Sequence, residues 1–373
     1  MDKVRVGVIG MGFGKEFIPI YQAYNKTEVV AISQRNEVTL KEIGDQFDIK
    51  YRYTDWRDML KNDEIDAIHV VSPILDHYEM TIAALNAGKH CACTVPMATT
   101  IDELKDIIKA QKKSGKYYMM METTLYTREY LYVKDLVKSG KIGRIQFVRG
   151  SHLQDMGLEG WPDYWLGFPP MWYGTHAVSP LFDITNTKPE SVVCHGSGSI
   201  NAERTAKYGS PFAVETATFK LRDSNIVAEA TRALYETVRQ YRESFDIYGD
   251  KMSFEWDQIE DEGQVLFEGG ESARRFKVPD TDALLPEELK HFTRREVIQD
   301  ADHVSFIQGA GHGGSHPHMV VEFIEAILED RQPTEDAVQS AYLTGAGVLA
   351  HESAMKGGER IMIPDFDAFY DSI

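Results

Sequence analysis

Along its first third the chain alternates short apolar runs with stretches whose apolar residues recur at helical spacing. "KVRVGVIG" reads as a strand, and Phe17, Ile20, Tyr21 and Tyr24 then share one helical face. Strand "EVVAIS" precedes a helix around Leu40 to Phe47. Strand "AIHVVSP" precedes a helix that Asp76 caps and that runs to Ala87. Strand "HCACTVP" is followed by the capping box Thr100-Ile-Asp-Glu103 and its helix, then by strand "KYYMMME". Strands alternating with helices imply right-handed crossovers and a doubly wound parallel sheet.

Near residue 123 the period changes. After a helix at about Arg128 to Ser139, the segments "RIQFVRGSHLQ", "AVETATFKLRD", "NIVAEATRAL" and "ESFDIYG" alternate as strands do, and Asp223-Ser224-Asn225 reads as a hairpin turn. Two helices, around His318–Asp330 and Glu335–Met355, follow. The expected fold is α/β in two domains. Residues 1–123 form the doubly wound parallel sheet, and residues 124–373 an α+β domain with a large antiparallel sheet.

Composition narrows the classes. A chain of 373 residues suits two domains of about 150 residues each. A net charge of −18 argues against nucleic acid or an anionic membrane as partner, since both need a basic face. The three cysteines Cys91, Cys93 and Cys194 give no disulfide framework. Cys91 and Cys93 alternate along one strand and read as packed. No apolar run reaches membrane-spanning length, and the first residues lack a signal-peptide pattern. A soluble cytoplasmic protein is expected.

The glycines Gly10, Gly12 and Gly14 sit between the first strand and its helix. In such a corner the first glycine permits the turn and the second lets backbone approach a pyrophosphate at a helix N-terminus. Gly10, Gly12, Phe13 and Gly14 are therefore candidate dinucleotide contacts, although Lys15 stands where the full GxGxxG motif has its last glycine. The second strand ends in Ser33-Gln34-Arg35, with no carboxylate for ribose hydroxyls. Two readings follow. Arg35 and Ser33 hold the 2′-phosphate of NADP, or Gln34 bonds the ribose of NAD and Arg35 faces solvent.

Three more stretches carry candidate chemistry. Residues 155–173 hold Asp155, Trp161, Tyr164, Trp165, Phe168, Trp172 and Tyr173. This aromatic loop either covers a sugar face or lies at a subunit interface. "GHGGSHPH" brings His312, His316 and His318 together. No cysteine or carboxylate pair completes a zinc site there, so no metal is expected, and His312 and His316 are read as hydroxyl-binding. Glu122 ends the fifth strand, as a nicotinamide or substrate contact or as a salt-bridged strand end.

The stretch "VVSPILDHYEMTIAALNAGKHCACTVPMA" resembles the signature of the glucose–fructose oxidoreductase and inositol dehydrogenase (Gfo/Idh/MocA) family. Pro73, His77, Gly88, Lys89, His90 and Pro96 match it. The resemblance implies a Rossmann first domain, with Ser72, Pro73, His77, Thr94, Val95 and Pro96 along the cofactor; Lys89 and His90, just before a buried strand, read as structural or cofactor-edge residues and not as catalytic ones. Ile74 departs from the family asparagine, and Thr94-Val95 replace its glutamate–lysine pair. Trp172 replaces its aspartate, whereas His176 stays. "YYMMMETTLYTRE", "MWYGTHAVSP", "GHGG" and "IPDF" resemble the branch with NAD-dependent glycosidases such as α-N-acetylgalactosaminidases. That comparison puts His176, Tyr126 and Tyr173 on catalytic positions. It implies hydride loss from a sugar ring carbon, expected at C3, with imidazole and phenol as bases.

The net outcome is then simple oxidoreduction, or redox-neutral glycoside cleavage through elimination and water addition. The alternative is a catalytically inactive dinucleotide-binding sensor or scaffold, since the family lysine is missing. The implied cofactor is NAD or NADP, and the partner a small sugar or glycoside. Family pairing through the second sheet implies a homo-oligomer, a dimer or tetramer, and an apolar outer face on that sheet.

Overall fold

Six short strands build the first sheet of the computed structural model, which describes residues 3–294 and 312–373 except 238, 240, 260–261 and 270–271. They are β1 (Val4–Ile9), β2 (Thr27–Ser33), β3 (Tyr51–Tyr53), β4 (Ala67–Val70), β5 (His90–Thr94) and β6 (Tyr118–Met121). Their order is β3-β2-β1-β4-β5-β6, with every neighbouring pair parallel. β4 and β6 are buried along their whole length, which is why they read as unbroken apolar runs. β3 went unseen in the sequence because three residues carry no period.

Two local expectations are corrected. The first helix is two pieces, Met11–Gly14 and Ile18–Ala23, the second with a proline in its opening turn. Asp76 ends a 3-10 turn at Ile74–Asp76, and its side chain makes no capping bond. By contrast the Thr100–Glu103 box is present with both reciprocal bonds, and Gly115 closes that helix in the left-handed conformation at φ 64°.

The second sheet adds β7 (Ile145–Gln154), β8 (Pro189–Ser197), β9 (Val214–Leu221), β10 (Val227–Ala233) and β11 (Tyr241–Gly249). It continues with β12 (Met252–Glu255), β13 (Gln264–Glu268), β14 (Ser272–Phe276) and β15 (Ile361–Met362), in the order β14-β13-β12-β11-β7-β10-β9-β8-β15. The sheet is mostly antiparallel, but β7 and β10 pair in parallel. The long connection between them crosses the sheet face as helix Thr175–Thr185 and returns through β8 and β9, which gives the crossover that a parallel pair requires.

Along β9, Ala217, Phe219 and Leu221 face inward while Thr216, Thr218 and Lys220 are exposed. The outward row is thus polar along β9, whereas that of β7 carries Phe147 and Leu153 beside Arg149 and Ser151. Helices Thr175–Thr185 and Ala337–Met355 cover the inner face. Helix His316–Leu328, late in the chain, packs on the first sheet, where Met319, Val320 and Phe323 join the cluster of Val6, Val8 and Phe17. No helix among the described residues is long and apolar enough to cross a membrane.

Candidate active site

The turn after β1 uses its glycines for different reasons. Gly10 has φ 91°, and a Cβ there would lie 2.2 Å from the Val71 carbonyl oxygen. A Cβ on Gly14 would meet Val8 Cγ1 at 3.1 Å, so that glycine seats the helix on the strand. A Cβ on Gly12 would meet nothing within 4 Å, because Gly12 faces an open cleft of about 720 Å³. Bare backbone facing a groove at this turn fits a pyrophosphate.

Gly10, Gly12, Phe13, Ser33, Gln34 and Arg35 line this cleft, as do Ser72, Pro73, His77, Thr94 and Val95. Thr54, Asp55, Trp56 and Arg57 join them from the turn after β3, which the sequence reading missed with β3 itself. Pro96 stays outside: its carbonyl accepts a hydrogen bond from His77 Nδ1 at 2.7 Å, and His77 Nε2 lies 3.0 Å from the Ser72 carbonyl oxygen. His77 thus ties two loops of the groove.

The same cleft continues to His176, Tyr173, His152, Gln154, Trp161, Trp165 and His312. His176 lies in the first turn of helix Thr175–Thr185. That helix lies close on β7 because Gly150 faces it: a Cβ there would be 2.0 Å from the Ala177 carbonyl oxygen. The imidazole Nε2 is 3.2 Å from the Tyr173 hydroxyl, and Nδ1 is 2.6 Å from Glu122 Oε1. Glu122 is fully buried behind the imidazole, where it also accepts from Thr124 N–H at 3.0 Å and Thr124 hydroxyl at 2.7 Å. Of the two expectations for it, the ion-paired strand end is what its contacts match, and it does not line the cleft. A second carboxylate, Glu243, comes within 3.7 Å of Nδ1 and accepts from the Tyr241 hydroxyl.

Electrostatics follow from this packing. Burial pushes the His176 pKa down, but Glu122 and Glu243 outweigh it and the net shift is upward. Burial raises Glu122, and the His176 imidazolium with the Thr124 bonds turns the net shift downward. Burial raises Glu243 and the Tyr173 phenol. Arg232, fully buried with its guanidinium 5.0 Å from the Tyr173 ring, opposes the Tyr173 shift only in part. Burial thus favours the protonated phenol. Arg232 itself donates to the carbonyls of Tyr173, His152 and Ala233 and to Gln154 Oε1, which locks β10, β7 and the Tyr173 turn together.

Several candidates do not reach the cleft. The Tyr126 hydroxyl donates to buried Glu335 at 2.5 Å. Trp172 packs edge-on against Phe168, Tyr208 and His351 in an aromatic cluster. Asp155 accepts from Gly157 N–H at 2.9 Å, closing its own turn. His316 is buried between the rings of Phe13 and Phe17. Within "GHGGSHPH", Gly311 lies outside the described residues.

Among the described residues, Glu122, His176 and Glu243 each offer a ligand atom within 4.8 Å of the others, so this trio could hold a cation. The sequence reading looked for a metal among His312, His316 and His318 and missed these, which come from three distant segments. It also missed His152, Gln154 and Arg232. The available signal was alternation: in "RGSHLQ", His152 and Gln154 fall on the inward row with Gly150, where a core strand has apolar residues.

Residues 4–122 match the oxidoreductase family with an NAD-binding Rossmann fold (GFO_IDH_MocA), and residues 130–255 match the GFO/IDH/MocA C-terminal domain. The chain is 26% identical over 204 residues to glycosyl hydrolase family 109 protein 1 of Phocaeicola vulgatus, covering 50% of this chain and 43% of that protein. It is 31% identical over 166 residues to glycosyl hydrolase family 109 protein 2 of a Shewanella species, covering 42% of this chain and 36% of that protein. The chain thus spans less than half the length of these curated relatives. In structure it resembles myo-inositol 2-dehydrogenase from Lactobacillus plantarum (19% identity, TM-score 0.75), over 97% of this chain and 100% of that one. It also resembles levoglucosan dehydrogenase in complex with NADH and levoglucosan (19% identity, TM-score 0.78), again over 97% and 100%. Likeness at these identities establishes the shared two-sheet fold.

Proposed function

The chain belongs to the Gfo/Idh/MocA family of NAD-binding oxidoreductases, and on that premise we propose that it abstracts hydride from a ring carbon, C3, of a sugar or glycoside. The net outcome is sugar oxidation or reduction, or redox-neutral glycoside cleavage. One observation carries the reading: a single cleft runs from the bare backbone at Gly12 to the His176–Tyr173 pair.

A nicotinamide bound in that cleft supplies the hydride acceptor. Gly10, Gly12 and Phe13 would hold its pyrophosphate, and Ser33, Gln34 and Arg35 its adenosine end, whether NAD or NADP. With Glu122 accepting the Nδ1 hydrogen, His176 Nε2 carries no hydrogen and can exchange its contact with the Tyr173 hydroxyl for the sugar hydroxyl, whose proton it takes as the carbon–hydrogen bond gives up its hydride. Tyr173 donates a hydrogen bond and orients that hydroxyl. Trp161 and Trp165 supply flat apolar surface for the ring. Val95 stands at the position of the family lysine, so the proton falls to His176. The names of the glycosidase relatives support the cleavage outcome.

Cytoplasmic residence is part of this reading, supported by three free, buried cysteines. Homo-oligomerisation rests on the family resemblance alone, since the outward row of β9 is polar, and sedimentation decides it.

The test is to supply each dinucleotide with a panel of sugars and nitrophenyl glycosides. Accumulating reduced cofactor marks a dehydrogenase; released aglycone with no net cofactor change marks a glycosidase. A pure sample that binds neither dinucleotide overturns the proposal. Cofactor binding with neither signal on any sugar favours the inactive sensor or scaffold.

A further inference from the structure

A second cavity, of about 740 Å³, lies behind the cleft and shares His176 and His312 with it. Four cations line it: Arg128, Arg239, Arg242 and Lys277. Arg242 donates to two neutral oxygens, Ser244 Oγ at 2.8 Å and Gln258 Oε1 at 3.4 Å. Among the described residues none of the four makes an ion pair. This is unusual in a chain with 58 acidic residues against 40 basic ones. Elsewhere Arg5, Arg57, Arg149 and Arg331 each hold a carboxylate at 2.6–2.8 Å.

Three acids face the same space: Glu129, Glu243 and Asp257. Against the four cations they leave the balance positive by one even with all three ionised. The helix Arg128–Lys138 adds to it, because its N-cap Thr127 also lines the cavity and its positive end points there.

We propose that this cavity binds an anionic substituent of the sugar ligand, a carboxylate or a phosphate, while the reacting ring sits against His176 and Tyr173. The inference rests on reading the cleft as a sugar site, and it names the substrate class as acidic sugars. Guanidinium forks match the paired oxygens of either anion.

Calorimetric titration of the dinucleotide-loaded protein with glucose, glucuronate and glucose 6-phosphate tests it. At least one acid is expected to bind tenfold or more tighter than glucose, and the preferred acid identifies carboxylate or phosphate. The double variant Arg128→Gln, Arg242→Gln is expected to reduce that preference at least tenfold, with circular dichroism reporting the fold. Should that variant not fold, exposed Lys277→Gln is expected to weaken acid binding at least threefold. Equal affinity for all three sugars, no binding of any, or a preference untouched by both variants overturns the proposal. Turnover on the same panel separates the two readings. Acids bound through the arginines, with neither cofactor reduction nor aglycone release from their nitrophenyl glycosides, sink the oxidoreductase reading alone. Sugar oxidation indifferent to charge sinks the anion site alone.

Discussion

His176 is held between two demands: Glu122 fixes one nitrogen at 2.6 Å, and the other meets Tyr173 at the cleft. Replacing it with Gln is expected to lower kcat by about 10²–10⁴-fold while the dinucleotide still binds, measured by cofactor reduction and by fluorescence titration. The carboxylates raise the imidazole pKa above its ordinary 6.5, and the base form is the neutral one. Activity should therefore rise with pH through that raised value. Glu122→Gln removes the leading stabiliser of the imidazolium, so the rise should move to lower pH, read from the pH profile of kcat/KM. A profile that stays in place would show that Glu122 leaves the proton on His176 unaffected. Glu122 was visible in the sequence as a strand-end carboxylate. Its pairing with His176, 54 positions away, was not.

At the scale of elements, the site depends on how closely helix Thr175–Thr185 approaches β7. Gly150 permits that approach, and any side chain there collides with the Ala177 carbonyl. Gly150→Ala is expected to shift the helix, move His176 off its carboxylates and cut kcat by at least tenfold, with dinucleotide affinity held. Helix His316–Leu328 makes a second long-range contact, since Phe323 is fully buried against the parallel sheet. Phe323→Ala is expected to cost about 3–5 kcal/mol, read by denaturant unfolding. Periodicity revealed the late helix, read at about His318–Asp330, but neither helix Thr175–Thr185 nor the role of Gly150, because the close contact between them is not a local pattern. It was silent on which sheet the late helix covers, since any apolar stripe fits any apolar face.

Across the whole molecule, burial holds many histidines neutral. His69, His312 and His316 are pushed down to about 3 and His90 and His318 to about 4, with His77 and His152 also lowered. Each binds protons more readily unfolded than folded, so stability falls as pH drops below 6.5. The raised carboxyls of Glu129, Glu243, Glu335 and Asp336 and the raised imidazole of His176 work in the opposite direction. The lowered histidines outnumber them, so the melting temperature should decline between pH 6.5 and 4.5. A flat profile over that range would show that these histidines are solvated.

By itself the sequence determined the two-sheet architecture, the glycine turn and the capping box, all of which are written in periods of two to four residues or in backbone chemistry that only certain residues permit. Tertiary structure decided which groups meet. It brought Glu122 and Glu243 to His176, took Tyr126 to Glu335 and Trp172 to an aromatic cluster, and gathered four cations behind the cleft. The physical reason is range: hydrophobic pattern and local hydrogen bonds act between near neighbours. The charge of a buried carboxylate or guanidinium takes its meaning from whatever distant chain lies within a few ångströms of it.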